Sequence, residues 1–346
     1  MSFRNCTNRL ICLAVCLALC SLPDLFGAPH QSQKVLLPHS SWTCGMPEGI
    51  PSPESGVKIF EAEMQLDQIY DLGKTQYGQR QVLIVKSGTV KGEKLNGTVL
   101  PGGLDFQLKI SNGVVEIEQI LVLKTSDGKN MYVRNAGTGE NQNDLRIVAN
   151  FVAPNDGAYA WLNSGKFVSR RVVDSTAKTM TWTVYNVSDV KMTSDPKDIV
   201  KISKPADVKA QPWDFRKAAA SEKKGNQIIT ETVTLGQGIS VGAAKKGNIL
   251  PITGGKVSGK ITGKVLAAGA DYQNLSKGAA IDARYLWQTD DGEIIIVRNA
   301  GGFGGLVPTF EVRADSKYAW LNSGTYLSSN PGGAAGGVSL TFYESK

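Results

Sequence analysis

Tyr-Ala-Trp-Leu-Asn-Ser-Gly stands at residues 159–165 and again, unchanged, at residues 318–324. A second signature, Val-Arg-Asn-Ala-Gly, precedes it in each half, at residues 133–137 and 297–301. Elsewhere the two halves have drifted apart, so the positions that stay identical are those at which a shared fold or a shared site tolerates little change. The sequence therefore predicts an internal duplication.

The repeat extends beyond these signatures. Residues 88–107 align with residues 255–273, with glycines at four corresponding places, and each copy then runs through an apolar stretch into an Asp-Gly pair, at Asp127 or Asp291. Two repeats of ordinary domain size fit this length. We expect a signal peptide at residues 1–28, an N-terminal arm at 29–56, repeat 1 at 57–190, a Lys-rich linker at 191–226 and repeat 2 at 227–346.

The N-terminus has the character of a targeting segment. Arg4 and Arg9 precede an apolar run at residues 10–19, and the small residues Gly27 and Ala28 follow. This order is typical of a secretory signal. The run is shorter than the ~20 residues that a membrane-spanning helix needs, and no later stretch is apolar enough. The sequence predicts a secreted, extracellular protein without a membrane span.

Cysteine and histidine usage excludes several classes of site. Removal of the signal leaves Cys44 as the sole cysteine, so no disulfide is expected within the mature chain. His30 and His39 are the only histidines, and both precede the repeats. Zinc sites with His or Cys ligands and Ser-His-Asp or Cys-His catalysis therefore lack their residues. We expect no metal and no cofactor, and any catalysis must use carboxylates, tyrosine, lysine, arginine or amides.

The repeats are predicted to be almost entirely β. Short runs rich in β-branched and aromatic residues are separated by Gly, Asn and Asp turns. These runs are residues 82–85, 114–123, 131–135, 180–186, 228–235, 280–288, 294–299 and 338–343. Asp-Gly between two such runs favours a tight hairpin in which both central residues have positive φ. We predict two tandem antiparallel β-barrels, with a sandwich as the alternative and a short helix at 213–222 in the linker.

Four stretches of repeat 2 resemble a known family. They are Ile-Asp-Ala-Arg-Tyr at 281–285, Thr-Asp-Asp-Gly at 289–292, Ile-Val-Arg-Asn at 296–299 and Tyr-Ala-Trp-Leu-Asn at 318–322. Their order is similar to that of the domain of unknown function 3237 family. The resemblance covers most of 227–346 and, more loosely, 57–190. It implies a small β-barrel domain that usually occurs once, and it brings no settled activity. Repeat 1 departs from it, with Ile120 in place of Arg284 and Glu118 in place of Asp282.

An arginine recurs on an apolar strand face in both copies. Strand alternation places Arg298 beside isoleucines and Arg134 beside Tyr132. A buried charge without a partner costs several kcal/mol, and the carboxylates Asp282 and Glu118 on the preceding strand are the expected partners. Each pair is either a structural ion pair inside a barrel or part of a ligand site that binds an anionic group.

The repeated Tyr-Ala-Trp-Leu-Asn stretch is expected to be a strand whose aromatic and amide side chains share one face. That face would suit a sugar or another ring-bearing ligand, and it would equally suit a barrel core. The side chains concerned are Tyr318, Trp320 and Asn322 in repeat 2 and Tyr159, Trp161 and Asn163 in repeat 1. Asp105 and Asp271 follow Gly-rich turns. They are expected to be turn caps, or else second carboxylates at each barrel mouth beside Glu118 and Asp282.

The net charge is +7, and the positively charged residues lie mainly in the linker, with others in scattered turns. Because no basic groove with interleaved aromatics is visible, we expect no nucleic-acid partner. Attraction to acidic polysaccharides fits an exported basic chain better. Asn96, Asn186 and Asn274 begin sequons that would be glycosylation acceptors in a eukaryotic host.

Three functions remain open on these grounds. The first is binding of a small polar, sugar-like or anionic ligand in each barrel, with Arg134, Arg284 and Arg298 as ligand contacts. The second is a metal-independent lyase, isomerase or cyclase, with Asp282 or Glu118 as base and Tyr318 or Tyr159 as acid. The third is a structural or cell-surface protein without a small ligand. Because Ile120 replaces Arg284, we expect repeat 2 to be the functional copy if only one is.

Overall fold

The computed structural model describes residues 34–155, 157–242, 247–275 and 280–346. The predicted signal peptide, His30 and the serine of the third sequon, Ser276, lie outside these residues. Within them, strand β1 (Val35–Leu37) belongs to the arm. Strand β11 (Ile199–Lys201) belongs to residues 187–223, called here the connecting segment, which contain most of the predicted Lys-rich linker. Among the described residues, no helix has the length and apolarity that a membrane crossing requires.

Each repeat is a series of antiparallel strands. The strands of repeat 1 are β2 (Val57–Lys74), β3 (Gln79–Lys91), β4 (Gly97–Val99), β5 (Gly103–Lys109), β6 (Val115–Thr125), β7 (Asn130–Gly139), β8 (Arg146–Val152), β9 (Phe167–Asp174) and β10 (Thr179–Asn186). Those of repeat 2 are β12 (Lys224–Leu235), β13 (Ile239–Val241), β14 (Gly247–Gly259), β15 (Gly263–Val265), β16 (Ala270–Asn274), β17 (Ile281–Thr289), β18 (Ile294–Gly301), β19 (Val307–Glu311), β20 (Tyr326–Ser328), β21 (Gly332–Ala334) and β22 (Gly337–Ser345). In the part of the chain that the structure describes, the helical elements are short. They are the 3-10 helices Pro53–Ser55, Gln142–Asp144, Gly157–Asn163 and Pro196–Asp198 and the α-helix α1 (Trp320–Ser323).

Repeat 1 closes into a barrel of eight strands. The ladder runs β2-β10-β9-β8-β7-β6-β4-β3 and returns to β2, while β5 pairs with both β3 and β6. The sheet of repeat 2 follows the same order from β19 through β18, β17, β15, β14, β12 and β22 to β20. Its end strands approach each other where the Ser328 N–H donates to the Leu306 carbonyl at 3.0 Å. The all-β prediction and the antiparallel barrel are confirmed.

Alternation along β6 explains how the two repeats join. Leu121 and Leu123 point into the barrel and pack with Phe60, Phe151 and Trp182. The opposite face of β6 is also apolar. It contributes Ile120 to a separate cluster that includes Leu104 of repeat 1 and Leu286 of repeat 2. Repeat 1 therefore buries an outer barrel face against repeat 2, which is why its strands are apolar on both sides.

The Asp-Gly hairpins form as predicted, between β6 and β7 and between β17 and β18. Gly128 and Gly292 adopt left-handed φ values of +84° and +90°, whereas Asp127 and Asp291 do not have positive φ. The expectation of two positive φ values is wrong, because these turns place only the glycine in the left-handed region, as in hairpins with a type I turn and a bulge. Each Asp carboxylate instead accepts a hydrogen bond from a threonine hydroxyl, Thr125 or Thr289.

The Tyr-Ala-Trp-Leu-Asn stretches are not strands. In repeat 1 the stretch lies in the 3-10 turn Gly157–Asn163, and in repeat 2 it lies on α1 and the turn before it. The side chain of the asparagine that ends each stretch makes the two backbone hydrogen bonds that a neighbouring strand would make. Asn322 accepts from the Val312 N–H at 3.0 Å and donates to the Val312 carbonyl at 2.9 Å. Asn163 pairs with Ala153 in the same way. These contacts override the strand preference of Tyr and Trp.

The connecting segment is more than a linker. Its strand β11 pairs in parallel with β1 of the arm. The predicted helix at 213–222 is wrong: that stretch is fully described and contains no helix. Instead, Arg216 forms a bidentate pair with Glu222, and Trp213 packs edge-on against the buried Trp42 of the arm at 5.5 Å. Tertiary contacts of these side chains thus determine the path of the segment.

Candidate functional site: a charged cluster between the repeats

Four strands bring the predicted charged residues together. Strands β6 and β7 of repeat 1 and β17 and β18 of repeat 2 present their outer faces to one another. Ile120 lies opposite Arg134, and at the matching place Arg284 lies opposite Arg298. Glu118 and Asp282 lie two residues earlier and therefore share those outer faces. The barrel surfaces, not the barrel interiors, hold these groups.

The five side chains Glu118, Arg134, Asp282, Arg284 and Arg298, called here the charged cluster, form one continuous network. Arg134 Nε donates to Glu118 Oε1 at 2.7 Å, and Arg298 Nε and Nη2 donate to the two oxygens of Asp282 at 2.8 Å. Arg284 joins the repeats, since it donates to Asp282 Oδ1 at 2.8 Å and to Glu118 Oε2 at 3.0 Å. Both predicted ion pairs are confirmed. Their expected place inside a barrel is wrong, because the two apolar faces that carry them are the outer faces on which the repeats meet.

The cluster is ionised and carries a net charge of +1. Burial raises the pKa of the Glu118 carboxyl, but the attraction of Arg284 and Arg134 outweighs it and leaves that pKa below its usual value. The same balance, with Arg284 and Arg298, holds the pKa of Asp282 well below its usual range. Two carboxylates thus face three guanidinium groups. Such low-pKa carboxylates are poor proton acceptors near neutral pH.

Aromatic residues of the connecting segment cover the cluster. The Arg134 guanidinium lies 3.5 Å from the centroid of the Trp213 ring, and that of Arg298 lies 5.7 Å from the Phe215 ring. The Trp213 carbonyl accepts from Arg134 Nη2 at 2.7 Å and from Arg298 Nη1 at 3.0 Å. Sequence analysis missed both aromatics. Their presence in an otherwise Lys-rich, Pro-containing stretch was the available signal.

Cavities flank the cluster on two sides. The larger has a volume of about 290 Å³, and its walls come from both repeats and the connecting segment. Tyr132 and Tyr272 form one wall with ring centroids 5.2 Å apart, Phe215 forms another, and Arg134 and Asp282 supply charge. The smaller, of about 70 Å³, adjoins Arg284, Arg298 and the buried pair of Arg80 with Glu311.

Asp105 and Asp271 do not join this cluster. Asp105 lies opposite Gln119 and points into barrel 1, where it pairs with Arg171 and accepts from Gln119 Nε2 at 2.8 Å. Asp271 lies opposite Ala283 and accepts from Gln273 at 2.7 Å, and burial raises its pKa to about 6. The predicted pairing of each with Glu118 or Asp282 is wrong, because strand alternation places the two acids of each repeat on opposite faces.

The tyrosines of the repeated stretch lie far from the cluster. Tyr318 donates to Asp291 and Tyr159 donates to Asp127, both at 2.8 Å and both at hairpin tips. Asp282 and Asp291 are separated by most of strand β17, which corresponds to roughly 25 Å at 3.3 Å per residue. Their predicted role as acids beside Glu118 or Asp282 is therefore wrong.

The tryptophans of that stretch also have structural contacts. Trp161 Nε1 donates to the Ala158 carbonyl at 2.9 Å, and its ring packs edge-on against Phe167. Trp320 packs edge-on against Tyr326, with the Lys260 ammonium 5.7 Å from its ring centroid. With Asn163 and Asn322 bound to backbone groups, the stretch anchors a turn to the barrel. Within the residues that the structure covers, no group of three His, Cys, Asp or Glu side chains is arranged for a metal.

Comparison with known proteins agrees with this architecture. The model of the family described as "Protein of unknown function (DUF3237)" matches residues 55–146 and 224–306, which together make up just over half of the chain. The chain belongs to the DUF3237 family. Because the family model matches twice, the tandem duplication and the resemblance predicted from sequence are both confirmed.

Two bacterial proteins illustrate the similarity in sequence. A UPF0311 protein of Rhodopseudomonas palustris is 35% identical over 23% of this chain and 52% of its own length, so the match spans about half of that relative. A UPF0311 protein of Bradyrhizobium diazoefficiens is 34% identical over 30% of this chain and 84% of its own length.

Solved structures are similar to this chain over a little more than a third of its length. The crystal structure of a conserved protein of unknown function from Rhodopseudomonas palustris covers 38% of this chain and 95% of its own, with 24% identity and a TM-score of 0.34. A β-barrel-like protein from Acinetobacter baumannii covers 38% and 94%, with 21% identity and a TM-score of 0.34.

Proposed function

We propose that the protein binds a small ring-bearing ligand with an anionic group, such as a uronic acid, in the cavity between the repeats. One observation carries this proposal: the 290 Å³ cavity is walled by Tyr132, Tyr272 and Phe215 and borders the charged cluster at Arg134 and Asp282. Small-molecule sites are typically concave, mostly apolar and aromatic, with a few placed polar groups, and their volumes begin near ~300 Å³.

The chemistry of the walls supports the choice of ligand class. Aromatic faces pack against rings, either planar ones or the C–H face of a sugar. The adjoining cluster has three guanidinium groups and two carboxylates, so its excess positive charge favours a carboxylate or another anion. Burial of the cluster strengthens that preference, because the local dielectric constant is low.

The proposed site is shared by the two repeats. Tyr132 and Arg134 come from repeat 1, Tyr272 and Asp282 come from repeat 2, and Phe215 comes from the connecting segment. A single repeat cannot form it. This differs from the sequence-based expectation of one ligand in each barrel, and it gives the duplication a function of its own. Export of the protein remains part of the proposal and rests on the segment at residues 1–28.

Ligand-induced stabilisation of the full chain tests the proposal. We expect glucuronate or galacturonate to raise the melting temperature in a saturable way, because a ligand at 100 times its Kd stabilises by about 2.7 kcal/mol. Tyr272→Ala removes one cavity wall and should abolish the shift. Tyr343→Ala is the matched control, since Tyr343 lies on β22 away from the cavity. Absence of any shift with a broad panel of ring-bearing acids, or an equal shift in the Tyr272→Ala protein, would contradict the proposal.

A further inference from the structure

Barrel 1 has a gap in its wall beside strand β9. The β8–β9 ladder covers three residue pairs and ends where Ile147 lies opposite Ser169. Beyond that point β9 continues to Asp174, and its ladder there is with β10 alone. The unpaired edge leaves room between β9 and the turn Gln142–Asp144, and a cavity of about 480 Å³ opens there. This cavity shares none of its lining residues with the cavity of the proposed function.

The inner wall of this cavity is a hydrogen-bonded polar layer. Gln107 donates to Gln81 at 3.2 Å and accepts from Arg171 Nη2 at 2.6 Å. Arg171 also pairs with Asp105, which lies deeper in the barrel and is fully buried. The Arg171 side chain is only 1% exposed, and among the described residues its Nε–H has no acceptor. A buried donor without a partner is costly, so an acceptor in the cavity would stabilise it.

The formal charges around this cavity cancel in pairs. Asp105 neutralises Arg171, and Glu54 forms a bidentate pair with Arg170 at the rim. The remaining polar groups are mainly side-chain amides, which both donate and accept hydrogen bonds. Hydroxyl groups also do both, so amides and hydroxyls are matched partners.

Aliphatic side chains complete the walls of this cavity. Ile69, Leu83 and Val173 line it and offer an apolar surface for the C–H groups of a ligand. The combination of aliphatic walls, amides and cancelled charge fits a neutral polyhydroxylated molecule better than an ion. The volume lies within the range of roughly 300–1,000 Å³ that is usual for small-molecule sites.

Repeat 2 preserves part of this arrangement and lacks its arginine. The amide pair recurs, since Asn248 donates to Gln273 at 2.9 Å. Counting from the repeated Trp-Leu-Asn-Ser-Gly stretch, however, Asn330 occupies the position of Arg171. Among the described residues, Asp271, which corresponds to Asp105, therefore has no guanidinium partner of this kind. In that part of the chain, repeat 1 is the copy that has the complete set of groups.

We infer that the mouth of barrel 1 is a second binding site, which takes a neutral mono- or disaccharide through Gln81, Gln107 and Arg171. The ligand enters through the gap beside β9, and its hydroxyl oxygens accept from the Arg171 Nε–H and from the amide N–H groups. Its ring C–H groups pack against the aliphatic wall. This site is separate from the cavity between the repeats and differs from it in preferring an uncharged ligand.

A rim substitution in the full chain tests this site without disturbing the barrel core. Val172 lines the cavity and is 67% exposed, so Val172→Trp should obstruct the entrance while leaving the fold intact. Val57→Trp is the matched control, because Val57 is 73% exposed and lies outside the cavity. Gln81→Leu removes an amide from the wall in an independent variant. Binding is measured by isothermal titration with glucose, galactose, maltose, cellobiose and glucuronate.

We expect saturable binding of at least one neutral sugar by the parent protein and a loss of at least ~10-fold in affinity in Val172→Trp and Gln81→Leu. In the Tyr272→Ala protein, which lacks one wall of the cavity between the repeats, that sugar should bind at least ~5-fold tighter than glucuronate. Val57→Trp and Tyr272→Ala should bind that sugar as the parent protein does, and the latter result separates this site from the cavity between the repeats. The inference is overturned if no neutral sugar binds the parent protein up to about 10 mM, or if Val172→Trp and Gln81→Leu bind it unchanged.

Discussion

Replacement of Glu118 by glutamine tests whether the charged cluster stabilises the contact between the repeats. The change keeps the size of the side chain but removes the negative charge that Arg134 and Arg284 share. Three guanidinium groups would then face Asp282 alone. Removing one partner of a buried pair typically costs about 3–5 kcal/mol. For a protein of a few hundred residues, each kcal/mol lowers the melting temperature by about 2–4 °C, which gives a decrease of roughly 6–20 °C.

Differential scanning fluorimetry at pH 7 measures this effect, with Glu61→Gln as the control. Glu61 also pairs with a cation, Lys58, but that pair is exposed and is worth at most about 1 kcal/mol. If Glu118→Gln lowers the melting temperature no more than Glu61→Gln does, then the cluster contributes no net stability. The argument from buried ion pairing would then be refuted.

Three further predictions follow from individual contacts. The pKa values of the Glu118 and Asp282 carboxyls are lower in the folded protein than usual. The stability that these carboxylates contribute is therefore present above their usual pKa and is lost as the pH falls below it. As the pH is lowered from 7 to 3, the melting temperature should fall less steeply for Glu118→Gln than for the parent protein. Glu231 is buried against Tyr285 and Trp287, and burial raises the pKa of its carboxyl from 4.5 to about 7. As the pH rises from 4.5 to 7, the parent protein should therefore lose stability, by at most about 1.4 kcal/mol per pH unit. Glu231→Gln should make this dependence on pH less steep. In urea unfolding, Asn163→Ala and Asn322→Ala should each cost about 1–3 kcal/mol, whereas Ser323→Ala, which removes a 3.3 Å hydrogen bond to Trp320, should cost less than either.

The architecture followed from sequence because its signals are local and occur twice. Alternating apolar runs and Asp-Gly turns specify antiparallel hairpins, and the repeated signatures specify the duplication. For the Tyr-Ala-Trp-Leu-Asn stretch, the strand prediction was wrong. Its residues favour strands, yet one asparagine side chain makes the pairing that a strand neighbour would make and holds a helical turn instead. Such a contact joins residues ten positions apart, so periodicity within the stretch cannot reveal it.

The ion pairs were predictable, whereas their surroundings were not. Strand alternation placed Arg134 with Glu118 and Arg298 with Asp282, because both members of each pair lie on adjacent strands of one hairpin. An apolar strand face, however, does not indicate whether a barrel interior or another domain covers it. The aromatic cover from Trp213 and Phe215 arises from residues 202–223, which contain no helix or strand and therefore give no periodic signal.

The difference between Ile120 and Arg284 now has a structural explanation. Taken copy by copy, it suggests that repeat 1 has lost a functional residue. In the folded chain the two copies face each other, and Arg284 binds the carboxylates of both. An arginine at position 120 would add a fourth guanidinium to two carboxylates and raise the net charge of a buried cluster from +1 to +2. Since unpaired buried charge is destabilising, an apolar residue at one of the two positions is what a single shared cluster requires. The divergence between the copies is therefore better understood as adaptation of two barrels to one interface than as decay of one site.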